Sequence, residues 1–353
     1  MNKKIEKVAI VGGGFMGIQI AIVAAKFAGN TVKIHDVSRE AFERAEKIRE
    51  ALLASQVAAG KISEQDKAGI KKRIIGVSNF ESKEQQKKIG RYGIETIHGD
   101  MLNTKFTSTL PSVKNVFYLA GMKFGSVDNL SLTWAINTYL PAIVADHFKQ
   151  SRIVAFSTGC VYPLVPVESG GSVETDAPVA IGEYAQSCLG RERMFEFGSI
   201  RNKTEVALIR LNYSVETRYG VLVDIALKVK NNQPVDLTMG HFNVIWQGDM
   251  NDFVLRSLEY AKSPAAVLNI TGPEIISVRE AAVEFGKLFG VTPVFENSEA
   301  PTALLNNASM AFSLYGKPKT PLNKVIRWIA QWISDEKDLL GKPTHFEVRD
   351  GKY

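Results

Sequence analysis

A glycine-rich turn stands between a short apolar run and a helical stretch near the start of the chain. Residues 7–12 (KVAIVG) predict a buried strand, and residues 15–28 (FMGIQIAIVAAKFA) have the composition of a helix. Gly12, Gly14 and Gly17 supply the spacing G-x-G-x-x-G at the turn between them. Such a turn lets a pyrophosphate approach the backbone amides at the helix start. The sequence therefore predicts a βαβ unit that binds a dinucleotide.

A carboxylate closes the second strand of this unit. Residues 31–36 (TVKIHD) predict that strand, and Asp36 stands about 20 residues after the glycines. A carboxylate at this point accepts the ribose hydroxyls and repels a 2′-phosphate, so the sequence favours NAD over NADP. Phe15 and Met16 lie inside the glycine turn and are expected to contact the same cofactor.

Composition restricts the remaining classes of protein. The 353 residues are 45% hydrophobic and 23% charged, enough for one large core or two modest ones. The net charge is +6, but basic residues are scattered among acidic ones, which argues against a nucleic-acid partner. The two cysteines lack metal-ligand spacing, so we expect reduced thiols and no metal site. No signal-peptide pattern or membrane-length apolar run is present, and we expect a cytoplasmic protein with no membrane partner.

The opening segment VAIVGGGFMGIQIAIVAAKFAGNTVKIHDVSREAFERA resembles the nucleotide-binding half of 3-hydroxyacyl-CoA dehydrogenases. The resemblance extends to about residue 75 and implies NAD as cofactor. Those enzymes use a histidine followed by a Phe-x-x-Pro context as general base, and this chain has no such histidine. A hydroxyacyl-CoA dehydrogenase is therefore a minor alternative.

Four later segments resemble a different family, the extended short-chain dehydrogenase/reductases, which include NAD-dependent nucleotide-sugar epimerases and dehydratases. The segments are IETIHGDM (94–101), NVFYLAG (115–121), IVAFSTGCVYP (153–163) and GEYAQSCLGRE (182–192). The resemblance spans about residues 93–333. It implies an α/β fold, with a Rossmann-type doubly wound parallel sheet and a smaller C-terminal α/β substrate domain. We expect an NAD-binding domain at 1–210, with a returning segment near 243–260, and a substrate-binding region at 211–353.

The resemblance also implies the site residues. Tyr184 is expected to exchange the proton of the substrate hydroxyl, assisted by Thr158, with Ser157 as a less favoured substitute. Six further residues are expected to line the cofactor: Asp100, Met101, Leu119, Ala120, Gly121 and Asn137.

One residue departs from the family pattern. Four residues beyond its tyrosine the family has a lysine that favours the phenolate, and this chain has Cys188. Either catalysis is lost and the chain is a silent NAD-binding sensor or scaffold, or another cation acts instead. Lys123 and Arg191 are the candidate cations, although a solvated surface position is the simpler expectation for each.

The substrate remains open among sugars, sugar acids and nucleotide sugars. Gly159 and Cys160 follow Thr158, where related dehydratases have an Asp-Glu pair, so dehydration is disfavoured. Where related epimerases have a phosphate-gripping arginine, the chain offers Asn243 or His241. The candidate substrate-binding residues are Asn212, Arg218 and Lys123. Family members often pair through the helices that hold the cofactor asparagine and the catalytic tyrosine, so we expect a homodimer.

Overall fold

Eight parallel strands in the described part of the chain form a single sheet. The computed structural model describes residues 7–11, 31–35, 74–78, 95–123, 125–126 and 128–352. The strands are β1 (Lys7–Val11), β2 (Thr31–His35), β3 (Ile74–Ser78), β4 (Glu95–His98), β5 (Asn115–Tyr118), β6 (Arg152–Thr158), β7 (Val206–Leu211) and β8 (Ala266–Ile270). Their order across the sheet is β8-β7-β6-β5-β1-β2-β3-β4.

This order reverses its direction between β1 and β5. Because all eight strands are parallel, their carboxyl ends share one edge of the sheet. The reversal opens a crevice at that edge, which is where α/β sheets of this kind bind ligands. The prediction of an α/β doubly wound parallel sheet is confirmed.

The described helices are α1 (Thr104–Thr107), α2 (Leu130–Trp134), α3 (Leu140–His147), α4 (Gly182–Asn202), α5 (Val221–Lys230), α6 (Gln247–Arg256), α7 (Val278–Phe289), α8 (Ser309–Tyr315) and α9 (Leu322–Ser334). A π-helical turn over Ala135–Tyr139 joins α2 to α3. Small residues allow α4 to approach this segment closely. A Cβ added at Gly198, for example, would lie 2.9 Å from the Cβ of Ala145 on α3.

Two large hydrophobic cores lie in the described residues, beside a small cluster of Val161, Tyr162 and Cys188. The first packs β5, β6 and β7 against α3 and α4, and Tyr118 and Phe195 are fully buried in it with ring centroids 5.1 Å apart. The second joins α5, α7 and α9 and includes Phe242 and Phe346. Separate cores agree with a two-part organisation, while the boundary at residue 210 stays a prediction.

The strand at the edge of the main sheet follows the predicted returning segment in the chain. That segment, near 243–260, stays a prediction, and its strand, Ile245–Trp246, pairs with Ser214–Val215 outside the main sheet. Instead β8 pairs with β7 at the sheet edge. The run AVLNI of β8 is five residues long with four of them buried, and it therefore contributes more to the sheet than a two-residue strand does.

Residues 335–352, which we call the C-terminal strap, run back over the second core towards α4. Thr344 donates from both its amide and its hydroxyl to the carboxylate of Asp224 on α5, at 2.7 and 2.6 Å. Phe346 is buried in the second core. Gly351 then packs against the backbone of Gly182, at the first residue of α4. The strap thus connects the second core to the helix that carries Tyr184.

Candidate active site

Two predicted catalytic side chains meet at the carboxyl edge of the sheet. Thr158 ends β6, and Tyr184 stands in the first turn of α4. Their side chains are hydrogen-bonded. The Thr158 hydroxyl also accepts from the Cys160 amide at 3.2 Å, which fixes the short 3₁₀ turn after the strand. The structure therefore brings together the hydroxyl and the phenol that the resemblance implied.

Ser157, the less favoured substitute, has a different partner. Its hydroxyl donates to the carboxylate of Glu192 at 2.5 Å. Glu192 in turn forms a buried ion pair with Arg210, with nitrogen–oxygen distances of 2.8 and 3.0 Å. Arg210 also donates to the Tyr162 hydroxyl at 2.6 Å. The Ser157 hydroxyl thus belongs to a buried polar network rather than to the Tyr184 pair.

The environment of the phenol opposes its ionisation. Burial around the phenol oxygen raises the pKa of Tyr184 well above 10, and the neighbouring thiols of Cys188 and Cys160 raise it further. Cys188 is fully buried and hydrogen-bonded to Tyr184, and burial raises the pKa of its thiol as well. The thiol is therefore neutral at ordinary pH and does not supply the charge of the missing lysine.

Both candidate cations lie inside the protein, contrary to the expectation of solvated surface positions. Arg191 is only 5% exposed. It donates to the backbone oxygen of Phe156 at 2.9 Å and to the side-chain oxygen of Asn137 at 2.7 Å. Lys123 is half-buried and donates to the backbone oxygen of Thr344 in the C-terminal strap at 3.2 Å. Burial lowers the pKa of its ammonium group.

Asn137 fixes the loop after β5. It lies in the π-helical turn and is fully buried. Its side chain accepts from the Met122 amide at 2.8 Å and donates to the Met122 backbone oxygen at 2.9 Å. It also donates to the Ser187 hydroxyl at 3.0 Å. This asparagine thereby ties the loop that begins at Leu119 to α4.

The predicted cofactor residues occupy the expected edge of the sheet. Leu119 and Ala120 directly follow β5, and the Leu119 amide donates to the backbone oxygen of Val11 at the end of β1. Asp100 and Met101 follow β4, with the Asp100 carboxylate exposed and Met101 buried. Four strand spacings separate β4 from β5, about 19 Å in all, so the two groups flank an elongated crevice. This geometry fits an extended dinucleotide.

The remaining predicted cofactor residues are those of the glycine turn and Asp36. Gly12, Gly14, Phe15, Met16, Gly17 and Asp36 lie outside the described residues. The strands that precede them, β1 and β2, end at the same edge of the sheet as β5.

The candidate substrate residues lie in separate environments. Asn212 is buried and donates to the side-chain oxygen of Asn243 at 2.8 Å. Arg218 forms an ion pair with Glu216 at 3.1 Å, with 20% of its side chain exposed. A Cβ added at Gly159 would lie 2.9 Å from both the Cβ of Asn212 and the side-chain oxygen of Asn306, so Asn212 packs directly behind the end of β6. Of these candidates, Asn212 is the one placed beside Thr158.

Sequence reasoning missed the polar network beneath the site. Glu192 and Arg210 are 18 residues apart in the chain. The Tyr162 hydroxyl donates at 3.0 Å to the side chain of Asn269, which is 107 residues after Tyr162. On a helix, a buried charged residue with other charges three or four positions away has the same sequence pattern as a solvent-exposed one. The signal that was available is the apolar surroundings of Arg210 in the strand sequence VALIRL.

A cluster of metal ligands and a membrane-spanning helix are both absent from the described residues. No group of three or more His, Cys, Asp or Glu side chains that could hold a metal ion was found in that part of the chain. No helix that the structure describes there is long and apolar enough to cross a membrane.

Comparisons with known proteins agree with the two family resemblances found in the sequence. Residues 7–91 match the family described as 3-hydroxyacyl-CoA dehydrogenase, NAD binding domain. The expected resemblance of the opening segment to these dehydrogenases, with NAD as the cofactor, is thereby confirmed. No curated protein sequence matches the chain.

Several solved structures share the fold, among them two UDP-sugar 4-epimerases. The chain is similar to a UDP-glucuronic acid 4-epimerase from Bacillus cereus in complex with NAD, with a TM-score of 0.68 at 16% identity over 94% of this chain and 99% of that one. It is also similar to the UDP-glucose 4-epimerase of Thermus thermophilus complexed with NAD, with a TM-score of 0.63 at 17% identity over 92% and 98%. MoeE5 in complex with UDP-glucose and NAD has a TM-score of 0.65 at 15% identity over 94% and 99%. The likeness to the epimerase fold is confirmed over nearly the whole chain.

Proposed function

We propose that this protein is an NAD-dependent oxidoreductase or epimerase that acts on a hydroxyl of a sugar, sugar acid or nucleotide sugar. The observation that carries the proposal is the hydrogen-bonded pair of Tyr184 and Thr158 at the carboxyl edge of the sheet. This phenol can take the proton of a substrate hydroxyl while Thr158 holds the same oxygen in place. The fold shared with epimerases that bind NAD supports the same reaction class.

Bound NAD would accept or return the hydride at the substrate carbon. The residues that would hold it are the glycine turn after β1, the segment Leu119–Gly121 after β5, and Asp100 after β4. Asn137 fixes the loop beyond Gly121 through its two hydrogen bonds to Met122. These residues would therefore orient the cofactor at the carboxyl edge of the sheet, where Tyr184 and Thr158 lie.

The substrate would lie above the end of β6. Asn212 packs against Gly159 there, and Arg218 and Lys123 remain candidate contacts for an anionic group. Gly159 and Cys160 have no carboxylate to remove water, which supports hydride transfer without dehydration. Structural relatives whose names include UDP-glucose and UDP-glucuronic acid favour a nucleotide sugar or its acid, at low identity.

A second candidate function is a silent NAD-binding sensor or scaffold. Cys188 favours it, since a buried neutral thiol stands where the related enzymes have an ammonium group. Under this alternative the protein binds NAD and changes no substrate.

Homodimer formation is also proposed. Large apolar side chains on α4 and the π-helical turn are exposed, with Phe197 at 60%, Ile200 at 64% and Tyr139 at 54%. Apolar area of this kind on adjacent helices suits an interface with a second copy. The cytoplasmic location stays a prediction.

The test is a substrate screen with matched variants. The purified protein is mixed with NAD and a panel of sugars, sugar acids and UDP-sugars, and NADH absorbance and isomerised product are measured. We expect turnover that Tyr184→Phe lowers by at least about 100-fold, because general acid–base catalysis contributes that much. The matched control, Tyr139→Phe, changes an exposed tyrosine and should keep full activity.

Three other outcomes of this screen would contradict part or all of the proposal. Full activity of Tyr184→Phe would contradict the role given to the phenol. NAD binding by calorimetry with no turnover across the panel would favour the sensor. Absence of NAD binding would contradict both functions.

A further inference from the structure

Arg191 is a buried cation on α4, the helix that carries the phenol of the proposed active site. We propose that Arg191 is a positioning residue that favours the phenolate form of Tyr184, in place of the ammonium group missing at position 188. The inference rests on the proposed function for the use of that phenolate. Its electrostatic part stands on the structure of α4 and β6 and can be tested without a substrate.

Helix geometry brings Arg191 to the site. Tyr184, Cys188 and Arg191 are at positions i, i+4 and i+7 of α4 and therefore form one stripe on the helix. Helical side chains point towards the helix N-terminus, so a long side chain at 191 extends back over the turn that holds Cys188. An arginine one turn later can thus bring its charge near the place that a lysine at 188 would occupy.

Neutral acceptors hold this charge. Besides Phe156 and the side chain of Asn137, Arg191 donates to the Asn137 backbone oxygen at 3.4 Å. Each of these acceptors is a carbonyl or amide oxygen, and the nearby carboxylate of Glu192 is paired with Arg210. None of the acceptors of Arg191 among the described residues is a carboxylate, although the charge of Glu192 also acts on it. Because the guanidinium is buried, solvent screens its field only weakly.

The electric field of Arg191 acts at the proposed active site. Gly121 ends the cofactor-lining segment, and a Cβ added there would lie 2.6 Å from a terminal nitrogen of Arg191. Phe156, whose oxygen accepts from Arg191, is two residues before Thr158 on β6. The guanidinium therefore lies between the cofactor loop and the catalytic pair. Its charge lowers the pKa of Tyr184, against the larger effect of burial and the effect of the two thiols.

Several other titratable groups face this region. Tyr118 lies on β5 with its ring centroid 5.7 Å from the guanidinium carbon, and Cys188 and Glu192 lie on α4. Cys160 follows β6 and acts on the same phenol. Lys123, the other candidate cation, acts electrostatically on Cys188 and is hydrogen-bonded to the C-terminal strap. Among these groups, Arg191 is the cation that both contacts β6 and acts on Tyr184.

The experiment titrates the phenol directly. Ultraviolet absorbance of phenolate is followed against pH in the native protein, in Arg191→Met, in Arg191→Lys and in Arg191→Met with Cys188→Lys. The titration of a matching Tyr184→Phe protein is subtracted from each. Arg193→Met is the control, because it removes an exposed arginine of the same helix. Unfolding curves and calorimetric NAD binding show that each variant is folded.

We expect Arg191→Met to lower the phenolate fraction of Tyr184 at a given pH by at least about tenfold, the effect of removing one nearby opposite charge. Arg191→Lys should retain part of the effect, and Cys188→Lys should restore it in the Arg191→Met background. The control should match the native protein. If Arg191→Met does not fold, Asn137→Asp provides the test, since a carboxylate beside the guanidinium should lower the phenolate fraction in the same direction.

An unchanged Tyr184 titration in Arg191→Met, or in Asn137→Asp where that variant replaces it, would overturn the proposal. So would a failure of Cys188→Lys to restore the phenolate. These outcomes are distinct from failure of the proposed function, which is defined by NAD-dependent turnover. A shifted phenol in a protein with no turnover would support the electrostatic link and contradict the enzyme. Normal turnover with no shift in the Tyr184 titration would support the enzyme and contradict the electrostatic link.

Discussion

Removing Arg210 should destabilise the protein far more than removing a surface arginine of α4. The side chains of Arg210 and Glu192 are 4% and 0% exposed, and two parallel nitrogen–oxygen contacts of 3.0 and 2.8 Å join them. In Arg210→Met the Glu192 carboxylate keeps only the Ser157 hydroxyl as a donor in this network. An unpaired buried charge of this kind costs about 3–5 kcal/mol of unfolding free energy. We therefore expect a loss of that size.

A double-mutant cycle separates the ion pair from its surroundings. Glu192→Gln is expected to cost a similar amount, because it leaves Arg210 buried without its carboxylate. The double variant should cost at least about 2 kcal/mol less than the sum of the single variants, since the second change removes a charge already unpaired. Urea unfolding followed by circular dichroism, extrapolated linearly to water, gives each free energy.

The pair Arg193–Glu196 is the matched control. It lies on the same helix with a contact of 2.6 Å, but 51% of the arginine side chain is exposed. Single substitutions there should cost under about 1 kcal/mol, as for other solvated ion pairs. A cost of Arg210→Met no greater than that of Arg193→Met would refute the role given to the buried pair, as would simple additivity of the Glu192 and Arg210 variants.

Four further predictions follow from single contacts. Gly159→Ala should destabilise by about 1–3 kcal/mol in urea unfolding, because its Cβ would lie 2.9 Å from the Asn306 side chain; an unchanged midpoint would contradict this. Thr344→Val removes a buried hydroxyl that donates to α5 at 2.6 Å, so it should cost about 1–3 kcal/mol and expose the C-terminal strap to proteolysis, whereas Thr344→Ser should not. Burial lowers the pKa of His147 below 6.5, so unfolding binds a proton and stability should fall as pH drops below 6.5; His147→Gln should flatten that window of the stability curve. Phe197→Glu on the exposed face of α4 should yield monomers in light scattering at a concentration where the native protein is dimeric, and a native monomer would contradict the homodimer.

The sequence predicted those parts of the structure that depend on local pattern. The segments NVFYLAG and IVAFSTGCVYP were recognised by their resemblance to the extended short-chain dehydrogenase/reductases, and the strands within them, β5 and β6, are fully or nearly fully buried. The pair of Thr158 and Tyr184 was predicted because both residues stand within recognisable motifs. Their contact, between residues far apart in the chain, then follows from one strand and one helix that meet at the sheet edge.

The parts that escaped prediction depend on distant contacts. Arg191 was expected on the surface, because a charged residue in GRERMFEF reads as the polar face of a helix. It is buried because Asn137, 54 residues earlier, and the end of β6 supply its acceptors. The contact of Thr344 with Asp224 spans 120 residues and has no pattern at either end. Periodicity within one element contains no information on such partners.

The π-helical turn over Ala135–Tyr139 limits how the chain can vary in length. Its wider winding leaves the oxygens of Ile136 and Asn137 to accept from Tyr118 and Arg191, which lie on other elements. Deleting one residue from the turn would convert it to an ordinary α-helix, in which the backbone oxygens accept from amides of the same helix. Tyr118 and Arg191 would then lose the oxygens of Ile136 and Asn137 as acceptors. Homologous chains that keep this site should therefore align without gaps through these five residues.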